Sequence, residues 1–193
     1  ENHPTNPINE YGNSKLLSEN LIKTFVKDNN IAGASLRYFN AAGADVKGDL
    51  GESRPEESHL IPNIMNAVLR NETIEIYGDN YDTVDGTCIR DYIHVSDLAN
   101  AHLLGLEKIQ KSNKNLFLNL GTGKGYSVLQ IIKSCERVMN KKVKYKIVDK
   151  REGDPPILVA ESNKAKDELK WEPLYKDIDK IIKSAWKFHK FYE

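Results

Sequence analysis

Cysteine is scarce. Two among 193 residues, Cys88 and Cys135, make no disulfide framework, and neither sits in a Cys-x-x-Cys spacing suited to a metal. A reducing compartment is the default. Excess charge of either sign is also missing, since 28 Lys and Arg balance 28 Asp and Glu. Nucleic-acid binding normally requires a basic face, so that class is excluded and any anionic ligand must be met by a few placed arginines. No apolar run approaches the ~20 residues of a membrane helix. The chain opens Glu1-Asn2-His3-Pro4, with neither an initiator Met nor a targeting pattern, so its start says nothing of localisation. With 39% apolar residues there is enough to bury a core, which removes disorder, collagen and coiled coil. The length suits one domain, or one and a fraction.

Helical and extended patterns alternate. Leu17, Leu21, Ile22 and Phe25 recur at helical spacing and predict an amphipathic helix over 11–28. A β-prone run over 34–40 closes on Ala41-Ala42-Gly43-Ala44, as a buried strand feeding a tight loop does. The polar stretch 45–59 reads as a binding loop. Helices are expected over 60–70, 98–111, 127–139, 163–170 and 175–192, with Ser96-Asp97 as the N-cap of the second. Strands are expected over 74–77, 88–95, 116–120, 143–148 and 158–160. No internal repeat or clear linker interrupts this order, which predicts an α/β fold.

One pair on the first helix carries chemistry. Tyr11 and Lys15 form Tyr-x-x-x-Lys, so both side chains project from one face. A free phenol, with a pKa near ~10, is a poor base at neutral pH. A neighbouring ammonium favours the phenolate, and a cationic nicotinamide would favour it further. At ~4 Å and an effective dielectric of ~20 the attraction is ~4 kcal/mol as an upper bound. Such a phenol could remove a proton from an alcohol. The spacing alone is common on solvated helices, so it is the wider pattern that gives it weight.

That pattern runs the length of the chain. Pro7-Ile-Asn-Glu-Tyr11-Gly-Asn-Ser-Lys15 is followed by Leu36-Arg-Tyr-Phe-Asn40-Ala-Ala-Gly43-Ala and Ser58-His-Leu-Ile-Pro62. Then come Asp85-Gly-Thr-Cys-Ile-Arg90-Asp-Tyr-Ile-His94-Val-Ser-Asp97, Asn119-Leu-Gly-Thr-Gly123-Lys-Gly-Tyr-Ser-Val128 and Arg151-Glu-Gly-Asp154-Pro. In that order these strongly resemble the UDP-glucose 4-epimerase family, among the extended short-chain dehydrogenases/reductases.

The resemblance implies an incomplete Rossmann domain plus a smaller α/β substrate domain. Residues 1–44 would be the remnant of the NAD-binding part. Residues 45–193 would be mainly the UDP-sugar domain, with some segments returning to the first. Family members begin with a Gly-x-x-Gly-x-x-Gly turn that receives the NAD pyrophosphate on a helix N-terminus. Neither that turn nor the Ser/Thr that usually precedes the tyrosine is found here, so the resemblance implies a C-terminal piece, with the apolar faces of the first helix and strand left exposed. Gly121-Thr-Gly123-Lys-Gly125 does not replace the turn, because Tyr126 stands where the third glycine belongs and Gly125 where a P-loop has Ser or Thr.

The same resemblance implies site residues. Tyr11 and Lys15 would be catalytic, and with Tyr38 and Phe39 would meet the cofactor NAD. Arg90 and Arg151 would fork the diphosphate, a geometry guanidinium suits, with Asn40 adding an amide. Asp154 would accept from the ribose, Glu75, Ile76 and Tyr77 would line the uracil with Tyr77 stacking on it, and Val128 would touch it. His59 and Leu60 would line the sugar-phosphate end, and Leu158 would gate the sugar pocket, where a bulkier Tyr excludes N-acetylated hexoses. UDP-N-acetylhexosamines are therefore expected as further substrates. Arg37, His94 and Asp97 read as structural. The expected partners are a UDP-sugar, a second copy in a homodimer and a companion N-terminal half, in the cytoplasm, with no nucleic acid, membrane or metal. A sister nucleotide-sugar dehydratase or decarboxylase, a nucleotide-sugar binding module without NAD, and an inactive fragment remain as alternatives.

Overall fold

The computed structural model describes residues 1–192. An extended arm leads into α1 (Glu10–Asp28). Its N-terminus is closed by Asn9, whose Oδ1 accepts from the Gly12 N–H at 2.8 Å. Only Glu19 and Val26 of this helix are buried, while Leu17, Leu21 and Phe25 face outward. The expected apolar stripe exists, but among the described residues nothing covers it.

Three small sheets follow. β1 (Ala34–Tyr38) runs parallel to β5 (Leu116–Leu120). β2 (Asn40–Ala42) runs parallel to β4 (Ile89–His94), which also pairs antiparallel with β6 (Gly125–Ser127) and parallel with β8 (Ile157–Leu158). β3 (Thr73–Tyr77) runs parallel to β7 (Lys144–Val148). The stretch 34–40 is thus two strands broken at Phe39, because its two ends pair with different partners.

Two apolar cores hold these sheets. One gathers α2 (Leu60–Arg70), β3, α4 (Val128–Met139) and α6 (Ile178–Tyr192) around Ile64, Met65, Ile76, Ile131 and Ile181. The other packs β5, α3 (Val95–Ser112) and α5 (Asn163–Leu169) around Leu118, Leu120, Leu98, Ala165 and Trp171. Burying each of the Leu, Ile and Met side chains among these is worth ~1.5–3 kcal/mol. Asn71, Asn113 and Asn140 end α2, α3 and α4 in the left-handed conformation, which asparagine tolerates better than most residues.

The start of α3 differs from expectation. Its N-cap is His94, not Ser96 or Asp97, and the His94 Nδ1 accepts from the Ser96 N–H at 3.1 Å. That bond places the ring proton on Nε2, which donates to Ser184 Oγ at 3.0 Å. The ring also stacks on Tyr175 at 4.0 Å. Asp97 instead accepts from the backbone N–H groups of Leu174 and Tyr175 at 2.9 and 3.0 Å. Those bonds hold residues 174–175 out of the last helix, which begins at Ile178 rather than at Tyr175.

Candidate active site

Tyr11 lies in the first turn of α1, with 73% of its surface exposed. The Lys15 Nζ stands 5.1 Å from the centre of its ring, so the helix brings the pair together as its spacing requires. Tyr38 ends β1 half-exposed, at the carboxyl end of parallel strands, where α/β sheets bind ligands. Phe39 follows it, and Asn40 opens β2 opposite Tyr92.

A second group forms around β4. Arg90 lies opposite Tyr126 on one side and Leu158 on the other. Its Nη2 bonds the Asp154 carboxylate, and its Nη1 donates to the Ile89 carbonyl at 2.8 Å. Asp154 also accepts from the Cys88 thiol at 3.7 Å. Burial pushes that thiol up, away from thiolate chemistry. The Arg151 guanidinium lies 3.7 Å from the centre of the Tyr77 ring, a cation–π contact. Val128 donates its N–H to the Cys88 carbonyl at 3.1 Å, beside the same strand. On the loop that carries Asp154, Arg151 lies over Tyr77, while Arg90, Asp154, Val128 and Leu158 gather in one cluster around β4. Arg90 and Asp154 face each other in it, so a ligand's phosphate would compete with Asp154 for the guanidinium.

Other expected residues are placed differently. Ile76 is buried in the first core, so only its backbone is available to a ligand. Lys146 holds the Glu75 carboxyl below its usual range, standing 2.8 Å away, and the Tyr77 hydroxyl donates to it at 3.3 Å. His59 Nδ1 pairs with Glu52 at 2.6 Å. Leu60 begins α2 and packs against the first core.

Asn9, which no sequence motif singles out, bridges the two groups. While its Oδ1 caps α1, its Nδ2 donates to the Gly153 carbonyl at 3.0 Å. One amide thus ties the turn bearing Tyr11 to the loop bearing Arg151 and Asp154. Gly153 itself sits at φ +70°, with room for a Cβ only 3.3 Å from that of Asn9.

The Gly121-Thr-Gly123 turn is already occupied by an anion of the chain's own. Asp91 accepts from the N–H groups of Thr122, Gly123 and Ala160 at 3.0, 2.9 and 3.2 Å, and from the Thr122 hydroxyl at 2.6 Å. A Cβ on Gly121 would lie 2.6 Å from the Asp91 Oδ2 and 2.4 Å from the Ala160 Cβ. Glycine is required there for packing, and the turn does not cradle a phosphate.

Residues 1–121 match the NAD dependent epimerase/dehydratase family. A UDP-glucose 4-epimerase of Lactobacillus helveticus is 44% identical over 191 residues, covering 98% of this chain and 58% of that protein. The solved UDP-glucose 4-epimerase from Brucella ovis in complex with NAD is 44% identical at a TM-score of 0.89, over 95% of this chain and 57% of that one. The enzyme from Bifidobacterium longum, solved with NAD+ and UDP, is 36% identical at a TM-score of 0.94, over 100% and 58%. The chain therefore spans under three fifths of the length of these relatives.

Proposed function

The chain belongs to the NAD dependent epimerase/dehydratase family, and from that membership we propose that it carries the proton-transfer pair and the diphosphate grip of a UDP-glucose 4-epimerase. The observation that carries this reading is the bridge at Asn9. It ties the exposed phenol–ammonium pair to the loop of Arg151 and Asp154.

In this reading Tyr11 Oη accepts the proton of the carbon-4 hydroxyl and later returns one. Lys15 favours the phenolate while it waits. Arg90 and Arg151 hold the two phosphates, with Asn40 beside them, and Asp154 passes from Arg90 to a ribose hydroxyl. Tyr77, Val128 and the backbone of residues 75–77 line the base. The hexose must show both faces to Tyr11 in turn, so it is held loosely while the diphosphate is gripped. When bound, NAD supplies the hydride acceptor and donor at carbon 4, and Tyr11, Lys15, Tyr38 and Phe39 are the residues here that would hold its nicotinamide end. The pyrophosphate end finds no cradle in the Gly121 turn, since Asp91 fills it.

The two cores support dividing the chain into residues 1–44, belonging with the nucleotide-binding part, and 45–193, mainly the substrate part. β5, α3 and α5 return to the first. His59 and Leu60 are assigned to the sugar-phosphate end, and Leu158 to the gate that admits N-acetylated hexoses. A homodimer contact and any companion half are assigned to the exposed stripe of α1. Among the described residues no helix is long and apolar enough to cross a membrane, and a cytoplasmic setting fits two free, buried cysteines. Titration with UDP and with NAD separately tests the reading. UDP binding that weakens at least ~10-fold in Arg151→Ala supports it, and the absence of UDP binding overturns it.

A further inference from the structure

α1 carries a second charged group that neither proton transfer nor the diphosphate grip uses. Glu19 lies one helical turn beyond Lys15 and two beyond Tyr11, on the same face, and only 6% of it is exposed. Both of its oxygens are engaged. Arg37, on β1, donates from Nη2 to Oε1 and from Nε to Oε2, each at 2.7 Å. Lys23 stands 2.9 Å from Oε1, and the Ser35 hydroxyl donates to Oε2 at 3.4 Å. This shell holds the Glu19 carboxyl down to about 2, chiefly through the Arg37 bonds, so it stays anionic at any working pH.

An anionic glutamate four residues from a lysine is an ordinary partner for it on a helix. Among the described residues Glu19 pairs with Lys23 and Arg37 and not with Lys15, whose Nζ lies over the Tyr11 ring instead. An exposed ion pair and an exposed cation–π contact are of similar strength. Which of the two Lys15 makes therefore depends on whether the carboxylate is free to receive it.

We propose that Arg37 is a positioning residue that acts through Glu19: by saturating that carboxylate from the neighbouring strand, it leaves the Lys15 ammonium to Tyr11. A guanidinium suits this task because its planar fork takes both oxygens at once and never loses its charge. The same fork fixes α1 against β1, one residue before Tyr38. The role rests on the reading of Tyr11 and Lys15 as the proton-transfer pair.

Nuclear magnetic resonance on the chain tests it without measuring turnover. In the parent, the Lys15 ε-methylene should show Overhauser contacts to the Tyr11 ring and an upfield ring-current shift. Arg37→Met leaves Glu19 Oε2 with only the Ser35 hydroxyl and no cation, so it can draw Lys15, and both signatures should be lost. Arg37→Met with Glu19→Gln removes the competing charge as well, and both should return. Should Arg37→Met fail to fold by circular dichroism, Arg37→Lys carries the test. Its single ammonium cannot hold both oxygens, so it should give a partial loss, again reversed by Glu19→Gln. Unchanged Lys15 signals in the single variant, or an equal loss in the double one, would overturn the proposal. Either failure leaves the epimerase reading standing, whereas that reading falls with the turnover of Tyr11→Phe.

Discussion

Asn9 has two hydrogen-bonding ends, and the fold uses each for a different purpose. Asn9→Asp keeps an acceptor for the Gly12 N–H but turns an anionic oxygen toward the Gly153 carbonyl. Helix stability should hold while UDP affinity falls several-fold. Asn9→Ala loses the cap too, and should also cost ~1 kcal/mol in urea unfolding. Equal UDP affinity in the parent and both variants would refute the bridge. At Leu158, which lies beside Arg90 on β8 and is 44% exposed, size is the variable. Leu158→Tyr should lower the turnover of UDP-N-acetylglucosamine relative to UDP-glucose, and Leu158→Ala should raise it. A ratio that moves in neither variant removes the gate.

Much of this scale was open to sequence reading. The Tyr11–Lys15 contact needs only helical geometry, and Arg90 and Asp154 came from their surrounding motif. Asn9 and Gly153 are separated by a stretch that no local pattern spans, so their bond left no signal. A single glutamate such as Glu19 on a helix carries no local signal of burial. Only the placement of Arg37 on the adjacent strand makes it a buried pair.

His94 shows the same contrast at the scale of elements. Burial pushes its imidazole below the ordinary 6.5, and the ring is needed neutral, since Nδ1 must accept from the Ser96 N–H. A folded-state value below the unfolded one means that the unfolded chain takes up the proton first. Stability from this group is therefore complete above about pH 6.5 and declines as the pH falls through that value. The urea midpoint should drop between pH 7.5 and 5.5 more steeply in the parent than in His94→Asn, which keeps an accepting cap. Parallel slopes would contradict the assignment. Reading Ser96-Asp97 as the cap followed the usual residue preferences. A histidine can replace them here because Ser184, far along the chain, fixes its tautomer. β6 was missed for a related reason. Gly125–Ser127 has little strand character alone, and forms a strand because Ile89–Asp91 offers it a partner. By contrast α2, with its own apolar periodicity, was legible to the residue.

Across the whole molecule, α1 displays Leu17, Leu21 and Phe25 together, with Leu21 71% exposed. An apolar stripe of this kind favours association. Sedimentation of the chain should show a self-associated species that weakens in Leu21→Lys with Phe25→Lys, with circular dichroism unchanged. A parent that sediments as a monomer at all concentrations would argue against that stripe as a contact. The two cores explain why the α/β class could be read from alternation alone while the break at Phe39 could not. Periodicity reports which face is buried, and the choice of partner strand lies elsewhere in the chain.

Conversion of UDP-glucose to UDP-galactose offers the most direct measurement. It would be followed in this chain joined to the segment that completes the Lactobacillus helveticus relative. If Tyr11 is the proton-transfer group, Tyr11→Phe lowers kcat by at least ~100-fold and leaves UDP affinity within about twofold. Turnover at the parental rate in the phenylalanine variant would contradict it.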